Sequence, residues 1–355
     1  MRHVLLSVVA ITMLFCTGTA AWAWAWTDQT PAGAIHIQKW TSIASSSDGT
    51  HLAATVRSGF STGDIWTSTD SGATWTDRTP TGAAHGQRWG DIVSSSDGTH
   101  LIADVYLGDV WTSTDSGATW TDQTPTGTAH GQKWEHIASS ADGTHLAAQV
   151  YLGDIWTSTD SGATWADQTP TGATHGQEWQ SIASNRDGTR LVAIVYDGDI
   201  WTGTSSGGKW IWADRTSTGA VHGQKWSSIA SNSDGTHLVA TMFGVGGNGV
   251  GKYGGDIWTS TDSGVTWIDQ TSFGPAHSRR WGAIASSSDG THLVAAESST
   301  NGDIWASTDS GATWTDQTPT GAAHGPGWLA LASNSDGSQL AATSQSGNIW
   351  IGIYQ

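Results

Sequence analysis

Short runs in which apolar and small polar residues alternate recur along the whole chain, separated by turns rich in glycine, aspartate and serine. In one unit the first run spans residues 134–140 and is followed by Asp142-Gly143, a dipeptide typical of a tight hairpin. The same unit continues with runs at residues 145–150, 155–158 and 164–169. The alternation has the period of strands rather than of helices, so it predicts four short antiparallel strands in each unit.

The unit occurs seven times, and tryptophans mark each copy. The leading tryptophans are Trp40, Trp89, Trp134, Trp179, Trp226, Trp281 and Trp328. A second tryptophan follows a Gly-Asp or Gly-Asn pair at Trp66, Trp111, Trp156, Trp201, Trp258, Trp305 and Trp350. Four strands in about 45 residues are typical of one propeller blade. We therefore predict an all-β fold, a seven-bladed β-propeller of four-stranded antiparallel blades.

The two ends of the chain complement each other in this repeat pattern. The last unit ends with residues 349–355, its third strand, and no fourth strand follows it. Residues 26–31 match residues 120–125, which form the fourth strand of another unit. Because proteins protect exposed sheet edges, we predict that the N-terminal strand 26–30 pairs with blade seven and closes the ring. The propeller is then a single domain, residues 24–355.

The first residues have the pattern of an export signal. Arg2 and His3 precede an apolar run at residues 4–16, and small residues follow it. This arrangement predicts a signal peptide at residues 1–23, with an uncleaved membrane anchor as the alternative. We expect a secreted, extracellular or periplasmic protein with no membrane insertion after cleavage. The single cysteine, Cys16, leaves with the signal, so no disulfide is expected.

Charge and composition exclude two classes of protein. The formal net charge is −17, so the chain offers no basic surface to a phosphate backbone, and nucleic acid is excluded as a partner. Hydrophobic residues make up 37% of the chain and 24 residues are tryptophan, which is enough for a packed core and argues against disorder. We expect a monomer.

A turn motif of the form S-x-D-x-G-x-x-W lies between the third and fourth strands. It occurs at residues 68–75, 113–120, 158–165, 260–267 and 307–314, and residues 203–212 are a degenerate copy without the aspartate. The motif resembles the Asp-box, or bacterial neuraminidase repeat, of the sialidase-like propeller superfamily. That superfamily includes xyloglucanase-like hydrolases, sortilin-like receptors and photosystem assembly factors. The resemblance implies a structural turn built on Asp70, Asp115, Asp160, Asp262 and Asp309, with Ca²⁺ ligation as the alternative. No other cofactor and no metal is expected.

The resemblance also sets requirements for catalysis that the chain does not visibly meet. A sialidase-like site needs three converging arginines and a Tyr–Glu pair, yet the arginines here stand mostly where other repeats carry Gln, Lys, Ser or His. A xyloglucanase-like enzyme pairs two propellers, and this chain is long enough for one. Sialidase activity is therefore not expected.

A reaction centre should break the repeat, because catalytic residues are single whereas blade-building residues recur. Two positions after the leading tryptophan, where other repeats carry Ser or Ala, stand Asp91 and His136, with Glu135 and Glu178 close by in sequence. Tyr106, Tyr151 and Tyr196 mark turns of the adjoining repeats. Two carboxylates flanked by aromatic side chains would suit a glycosidase. The alternative is ordinary variation at small-to-polar positions.

The connectors between repeats should share one face with the turns between second and third strands, which we call the connector face. Each connector carries one histidine, and each of those turns in the first six repeats carries one aspartate, such as His130 and Asp109. Metal or acidic-ligand binding competes here with a turn-capping role. Residues 242–255 replace a short turn, so Phe243 and Tyr253, together with Arg57, join the three tyrosines as predicted ligand-binding residues.

Three functions remain open from the sequence. The leading hypothesis is a secreted, non-catalytic binding propeller that recognises glycans or an extracellular protein through its connector face. The second is a glycoside hydrolase, sialidase-like or xyloglucanase-like, that uses Asp91, Glu135, His136 and Glu178. The third is an assembly or scaffold factor.

Overall fold

The computed structural model describes residues 24–30, 39–57, 63–169, 171–206, 209–244, 254–318, 321 and 323–354. The predicted signal peptide at residues 1–23 and the predicted ligand-binding residue Tyr253 lie outside these ranges. Within the described ranges, no helix has the length and apolar character needed to cross a membrane.

The described residues form 28 strands. Strand β1 is Trp24–Asp28, and the first repeat then forms β2 Trp40–Ser45, β3 Leu52–Val56, β4 Ile65–Ser68 and β5 Thr76–Asp77. The second and third repeats form β6 Trp89–Ser94, β7 Leu101–Gly108, β8 Val110–Ser113, β9 Thr121–Asp122, β10 Gln132–Ser139, β11 Leu146–Val150, β12 Ile155–Ser158 and β13 Ala166–Asp167. The fourth and fifth form β14 Trp179–Ser184, β15 Arg190–Val195, β16 Ile200–Ser206, β17 Lys209–Asp214, β18 Trp226–Ser231, β19 Leu238–Met242, β20 Ile257–Ser260 and β21 Ile268–Asp269. The last two form β22 Trp281–Ser286, β23 Leu293–Glu297, β24 Ile304–Ser307, β25 Thr315–Asp316, β26 Trp328–Ser333, β27 Gln339–Ser344 and β28 Ile349–Tyr354.

The prediction of an all-β propeller is confirmed, but the prediction of a closed ring of seven four-stranded blades is wrong. Five sheets are four-stranded blades: β2–β5, β14–β17, β18–β21, β22–β25, and β26–β28 with β1. The strands of the second and third repeats instead join into one eight-stranded sheet. In the last blade, β1 pairs antiparallel with β28, from Trp24 opposite Tyr354 to Asp28 opposite Trp350.

The eight-stranded sheet arises where β7 meets β10. Gln132 pairs with Gly108 and Lys133 pairs with Tyr106, so the two repeats share a continuous ladder. At other junctions the same contact is a single bridge, as between Gly63 and Gln87. The second strand β7 is eight residues long, whereas the other second strands have five or six residues. The leading strand β10 is also eight residues long, whereas the other leading strands have six. The additional residues at the end of β7 and at the start of β10 are the ones that pair across the two repeats.

The fourth strands are shorter than the sequence predicts, with two residues in most repeats. In the third repeat the prediction was residues 164–169, and β13 covers Ala166–Asp167. At the C-terminal end the Thr169 hydroxyl accepts the Ile155 N–H at 2.9 Å, where a longer strand would offer a backbone carbonyl, and at the N-terminal end a turn replaces the first residues of the strand. A threonine makes the same contact to the third strand of each of the first six repeats.

Tryptophan supplies most of the core between repeats. The seven leading tryptophans are at most 1% exposed, and each burial removes a large apolar area from water. Trp134 packs against Trp165 at 5.8 Å and edge-on against Trp156 at 6.4 Å between ring centroids. The regular spacing of tryptophan in the sequence therefore mainly reflects packing.

A circle of backbone hydrogen bonds links the repeats on the face opposite the connectors. Each hairpin after a leading strand donates an N–H to the next hairpin at 2.7–2.8 Å, and the last donor, Ser335, bonds to Ser47 of the first repeat. Neighbouring leading strands also contact one another, including β26 and β2. Side chains at one position of the leading strands are thereby brought close together.

The turns that carry the S-x-D-x-G-x-x-W motif use their aspartates to hold their own loops. In the turn at residues 68–75, Asp70 accepts the Thr74 N–H at 2.8 Å, the Thr74 hydroxyl at 2.6 Å and the Ser68 hydroxyl at 2.8 Å. Hydrogen bonds from Thr74 and Ser68 hold the pKa of Asp70 below its usual value. Asp115, Asp160, Asp262 and Asp309 accept the same set of hydrogen bonds, as a structural turn requires.

Candidate functional site

The connector face is defined by six contacts between a connector histidine and a turn aspartate. Nδ1 of each histidine lies 2.7–2.8 Å from Oδ1 of its aspartate. The pairs are His85–Asp64, His130–Asp109, His175–Asp154, His222–Asp199, His277–Asp256 and His324–Asp303. The same aspartate oxygen accepts the hydroxyl of the connector threonine, such as Thr124 at 3.0 Å. Each pair therefore fastens a connector to a turn of its own repeat.

These contacts predict that connectors are held more firmly at acidic pH. The hydrogen bond to aspartate, and then its negative charge, raise the pKa of His85, His130, His175, His222 and His324. A histidine pKa that is raised on folding stabilises the fold fully below about 6.5, and the stabilisation is lost as pH rises through the folded pKa. Changing these five residues to asparagine should flatten the fall of Tm between about pH 6 and 9. An unchanged slope in calorimetry would contradict this role.

A cavity of about 580 Å³ opens on the connector face over the first four repeats. We call it the Asp91 pocket. Six of the residues predicted from sequence line it: Arg57, Asp91, Tyr106, Glu135, His136 and Tyr151. Thr41, Ser42, Arg88, Gly90, Trp134 and Gln180 complete the lining. Residues that break the repeat on separate strands thus meet in one place.

The Asp91 carboxylate accepts three hydrogen bonds from residues that the structure describes. Its Oδ1 accepts the Ser42 hydroxyl at 2.5 Å and the Ile92 N–H at 2.9 Å, and its Oδ2 accepts the Ile137 N–H at 3.2 Å. Burial acts to raise the pKa of Asp91, but His136, the Ser42 hydroxyl and the Ile137 N–H outweigh it and hold that pKa below its usual value. Asp91 is therefore ionised at neutral pH.

His136 is the partner of Asp91 on the neighbouring leading strand. Its Nδ1 lies 3.6 Å from Asp91 Oδ2, and its side chain is 35% exposed. Burial acts to lower the pKa of His136, but the contact and charge of Asp91, followed by the charges of Glu135 and Asp104, raise it above its usual value. Asp91 and His136 therefore form an ion pair across two neighbouring leading strands, β6 and β10, when the imidazole is protonated.

Asp104, which the sequence analysis did not single out, lies directly beneath this pair. It is fully buried, and its Oδ1 accepts the Asp91 backbone N–H at 2.6 Å. Its Oδ2 has no hydrogen-bond partner among the described residues. Burial first, and then the charge of Asp91, raise the pKa of Asp104 to about 7. A Cβ at Gly90 would lie 2.4 Å from Asp104 Oδ2, so glycine is needed there.

The sequence contains a pattern from which Asp104 could have been recognised, because the second strands of the repeats can be aligned with one another. The corresponding positions of other second strands hold Thr55, Gln149, Ile194, Thr241, Ala296 and Thr343. The rule that found Asp91, namely that a chemical site breaks the repeat, applies equally to this strand. Asp104 could therefore have been recognised by comparing the second strands as well as the leading strands.

Glu135 and Glu178 form a more exposed acidic edge. Burial raises the pKa of Glu135, and Glu178 raises it further, while His136 and Arg57 act to lower it. Glu178 does not line the pocket, although it acts on Glu135 through its charge. Glu135 also lies where the pairing of β10 with β11 shifts register, and such bulges re-aim side chains.

Three aromatic residues on successive turns each carry a cation over the ring. Arg88 lies 4.8 Å from the centroid of Tyr106, and Lys133 and Lys225 lie 5.8 Å from Tyr151 and Tyr196. Tyr106 and Tyr151 line the Asp91 pocket, and Tyr196 does not. The cations are held to the rings by the cation–π attraction, which fixes the outer wall of the pocket.

Two exposed leucines project from the tips of these turns. Leu107 is 50% exposed and Leu152 is 55% exposed. Their φ angles are +59° and +51°, in the left-handed region that leucine rarely adopts. An apolar side chain held exposed in a strained conformation is the kind of feature that clusters at binding sites.

The remaining predicted residues lie apart from the pocket. Phe243 is half-buried and donates its N–H to the Lys225 carbonyl at 2.8 Å, and it does not line the pocket. The five Asp-box aspartates lie in turns between third and fourth strands, where they bond to their own loops. Among the residues that the structure describes, no group of three or more His, Cys, Asp or Glu is arranged to hold a metal ion.

Solved structures resemble this fold at low sequence identity. The structure described as YCF48 bound to D1 peptide matches with a TM-score of 0.66 and 16% identity, covering 94% of this chain and 97% of that one. YCF48 from Cyanidioschyzon merolae matches with a TM-score of 0.63 and 16% identity, over 93% and 98% of the two chains. The GH74 enzyme of Niastella koreensis matches with a TM-score of 0.50 and 15% identity, over 86% and 62%. No protein-family model and no curated protein sequence matches the chain.

These similarities concern the fold alone, because identity near 16% does not carry function. The neighbours are β-propellers, and the all-β sheets of this chain agree with them. The Asp-box resemblance rests on the sequence motif and stays a prediction. The chain is therefore a β-propeller whose function has to be argued from the Asp91 pocket itself.

Proposed function

We propose that this propeller is a binding protein that holds an extended segment of a protein partner over the Asp91 pocket. The observation that carries the proposal is the convergence of Asp91, Glu135 and His136 with two tyrosines in one cavity of about 580 Å³. A pocket of this size, with aromatic walls and a few convergent polar groups, is typical of a ligand site. The neighbour whose structure is described as bound to a D1 peptide supports a peptide as ligand.

The chemistry of the pocket favours a segment with a basic side chain next to an apolar one. Glu135 and Glu178 present carboxylates at the edge, and the net charge of −17 attracts cationic partners. Leu107 and Leu152 offer apolar contact immediately beside the pocket. Arg57 and Arg88 can donate hydrogen bonds to backbone carbonyls of the segment.

Peptide selection on the purified protein tests this function. Displayed random peptides should be enriched in sequences with Lys or Arg beside a large apolar residue, and calorimetry should then give their Kd. We expect Glu135→Gln to weaken binding about tenfold or more, because an unpaired basic group would be left at the pocket. Asp197→Asn makes the same charge change on an exposed turn of the next repeat, and it should bind normally. Equal losses of peptide affinity in both variants, or no enrichment of basic residues beside apolar ones, would overturn the proposal.

A glycoside hydrolase is the second candidate, supported by opposite pKa directions within one pocket. Asp91 is held below its usual pKa and Glu135 above it, as expected for a nucleophile or base and a general acid. If the protein hydrolyses an aryl glycoside, both Asp91→Asn and Glu135→Gln should abolish turnover. Unchanged rates in either variant would remove this candidate.

We further propose that the protein is exported and acts outside the cytoplasm as a monomer. The apolar run at residues 4–16 and the basic start support export. N-terminal sequencing of protein recovered from the cell exterior should find a start near residue 24, and light scattering should give the mass of one chain. A retained N-terminus in a membrane fraction would instead support the anchor.

A further inference from the structure

The Asp-box turns have a second role, which is to plug the outer gap between neighbouring repeats. A Cβ at Gly117 would lie 3.0 Å from Thr67 Cγ2, and one at Gly162 would lie 3.2 Å from Thr112 Cγ2. The same contact recurs from Gly264 to Thr202 and from Gly311 to Thr259. Four Asp-box glycines therefore sit against the third-strand threonine of the preceding repeat, and the fifth, Gly72, sits against Ile351 of the last repeat, so no side chain would fit at these contacts.

Among its described residues, the fourth repeat has no turn that plugs the gap in this way. Its degenerate motif continues β16 and β17 as a regular ladder, in which Ser205 pairs with Trp210. Thr157 and Gln168, the counterparts of the residues that Asp-box turns cover elsewhere, line a cavity of about 350 Å³ between the third and fourth repeats. We call it the side cavity.

The last repeat shows how the same gap is filled when no Asp-box follows. There Trp24 pairs with Tyr354 across β1 and β28, and their rings lie 5.5 Å apart. Trp24 is 8% exposed and packs in one cluster with Ala306. In the fourth repeat Trp210 stands at the place of Trp24, but Ser205 replaces the tyrosine and Thr157 replaces the alanine. Two small polar residues thus leave space where a tyrosine would lie.

The walls of the side cavity combine aromatic surface with neutral hydrogen-bonding groups. Trp165 and Trp210 line it, and Trp210 is stacked on Trp212 with ring centroids 6.0 Å apart. The Gln168 amide is held by the Thr157 hydroxyl at 2.8 Å, and Ser205 offers a further hydroxyl. In a chain with 31 acidic residues, the described residues that line this cavity include no Asp, Glu, Lys or Arg, and His145 is the one titratable side chain among them.

From this lining we propose that the side cavity is a binding site for a neutral saccharide of one or two rings. Indole faces pack against the C–H surface of a pyranose ring, and amide and hydroxyl groups bond to its hydroxyls. The volume lies at the lower end of small-ligand pockets. The absence of Asp, Glu, Lys and Arg from the described lining disfavours phosphate, carboxylate or amine ligands. The site is separate from the Asp91 pocket and shares no lining residue with it.

Calorimetry and saturation-transfer NMR with gluco-, xylo-, manno- and N-acetylglucosamine disaccharides test the proposal. At least one disaccharide should bind with a millimolar or lower Kd. Ser205→Tyr recreates the side chain of the last repeat and should fill the cavity, lowering affinity about tenfold or more while keeping Tm. Ser206→Tyr is the matched control, because the next residue on a strand faces the other side.

The two variants make the outcome decisive. Loss of binding in Ser205→Tyr with normal binding in Ser206→Tyr supports the site. Normal binding in Ser205→Tyr would place any sugar elsewhere and overturn the proposal, and so would the absence of binding by all four disaccharides at about 10 mM. Peptide binding at the Asp91 pocket should be unchanged in both variants, which separates this result from the proposed function.

Discussion

Replacing Asp104 by asparagine is expected to stabilise the protein at pH 8 by up to about 4 kcal/mol relative to its effect at pH 4. The buried carboxyl has its pKa raised from 3.8 to about 7, while the unfolded chain ionises near the usual value. Between these pH values the folded state holds more protons than the unfolded state, so stability falls as pH rises. Asparagine keeps the shape and stays neutral, which removes this fall.

The measurement is thermal unfolding of the wild-type protein and Asp104→Asn at several pH values from about 4 to 9. The difference in Tm between the two proteins should be small at acid pH and grow through about pH 7. Subtracting the two curves cancels the connector histidines, which also destabilise the fold as pH rises. Asp197→Asn, on an exposed turn, serves as control and should give no such difference. If the difference in Tm between the wild type and Asp104→Asn does not change with pH, burial of the Asp104 charge does not destabilise the fold.

The destabilisation caused by the buried Asp104 carboxyl is explained by its position beneath the Asp91 pocket. Thr55 and Thr241 occupy the same position in other repeats and bond to neutral groups, Thr55 to the Gly90 carbonyl at 2.9 Å and Thr241 to the Ser227 hydroxyl at 2.8 Å. Asp104 instead takes the Asp91 N–H and adds negative charge that supports protonated His136. A destabilising residue that tunes its neighbours is a mark of functional sites.

The propeller architecture was predictable because its causes are periodic. Strand alternation, hairpin dipeptides and the buried leading tryptophans recur in every repeat, so each copy supports the same interpretation. The meeting of Asp91 with His136 follows from the same logic, since equal positions on neighbouring leading strands come together. The fold class and part of the candidate site could therefore be inferred without coordinates.

The fusion of two blades was not predictable in the same way. The sequence Tyr-Leu-Gly-Asp occurs at residues 106–109 and again at residues 151–154. The first copy pairs through two residues with β10, whereas the second forms a single bridge from Gly153 to Gln177. Identical local sequences thus give different pairing, because the outcome depends on small differences in how adjacent repeats pack. The prediction of seven separate blades failed on this point.

The ion pair between Arg279 and Glu297 gives the second large expected effect. Arg279→Gln should destabilise the fold by about 3 kcal/mol, because it leaves a buried carboxylate without its cation. Arg279 donates to Glu297 Oε1 at 2.7 Å, and Trp305 Nε1 donates to the same oxygen at 2.9 Å. Glu297 is 5% exposed, and burial raises its pKa against the opposing effect of Arg279.

The other repeats show which second substitution should compensate for the loss of Arg279. Other repeats carry Gln at the position of Arg279 and Val at the position of Glu297, as in Gln87 and Val105. Gln87 bonds to the Ala83 carbonyl at 2.7 Å, and Arg279 bonds likewise to the Pro275 carbonyl at 2.7 Å, so Arg279→Gln keeps that contact. The loss in the single variant therefore comes from the ion pair and from the guanidinium over Trp305, 4.5 Å from its ring centroid.

Urea unfolding of Arg279→Gln, Glu297→Val and the double variant separates the contribution of the ion pair from the contributions of the individual side chains. We expect the double variant to regain most of the lost stability and to lie within about 1 kcal/mol of the wild type, because a well-packed apolar residue replaces a buried charge. The loss in Arg279→Gln should also shrink toward acid pH, where a proton neutralises Glu297. If the losses in free energy of unfolding of the two single variants simply add in the double variant, the two side chains stabilise the fold independently. The ion pair would then make no contribution of its own to the stability of the sixth repeat.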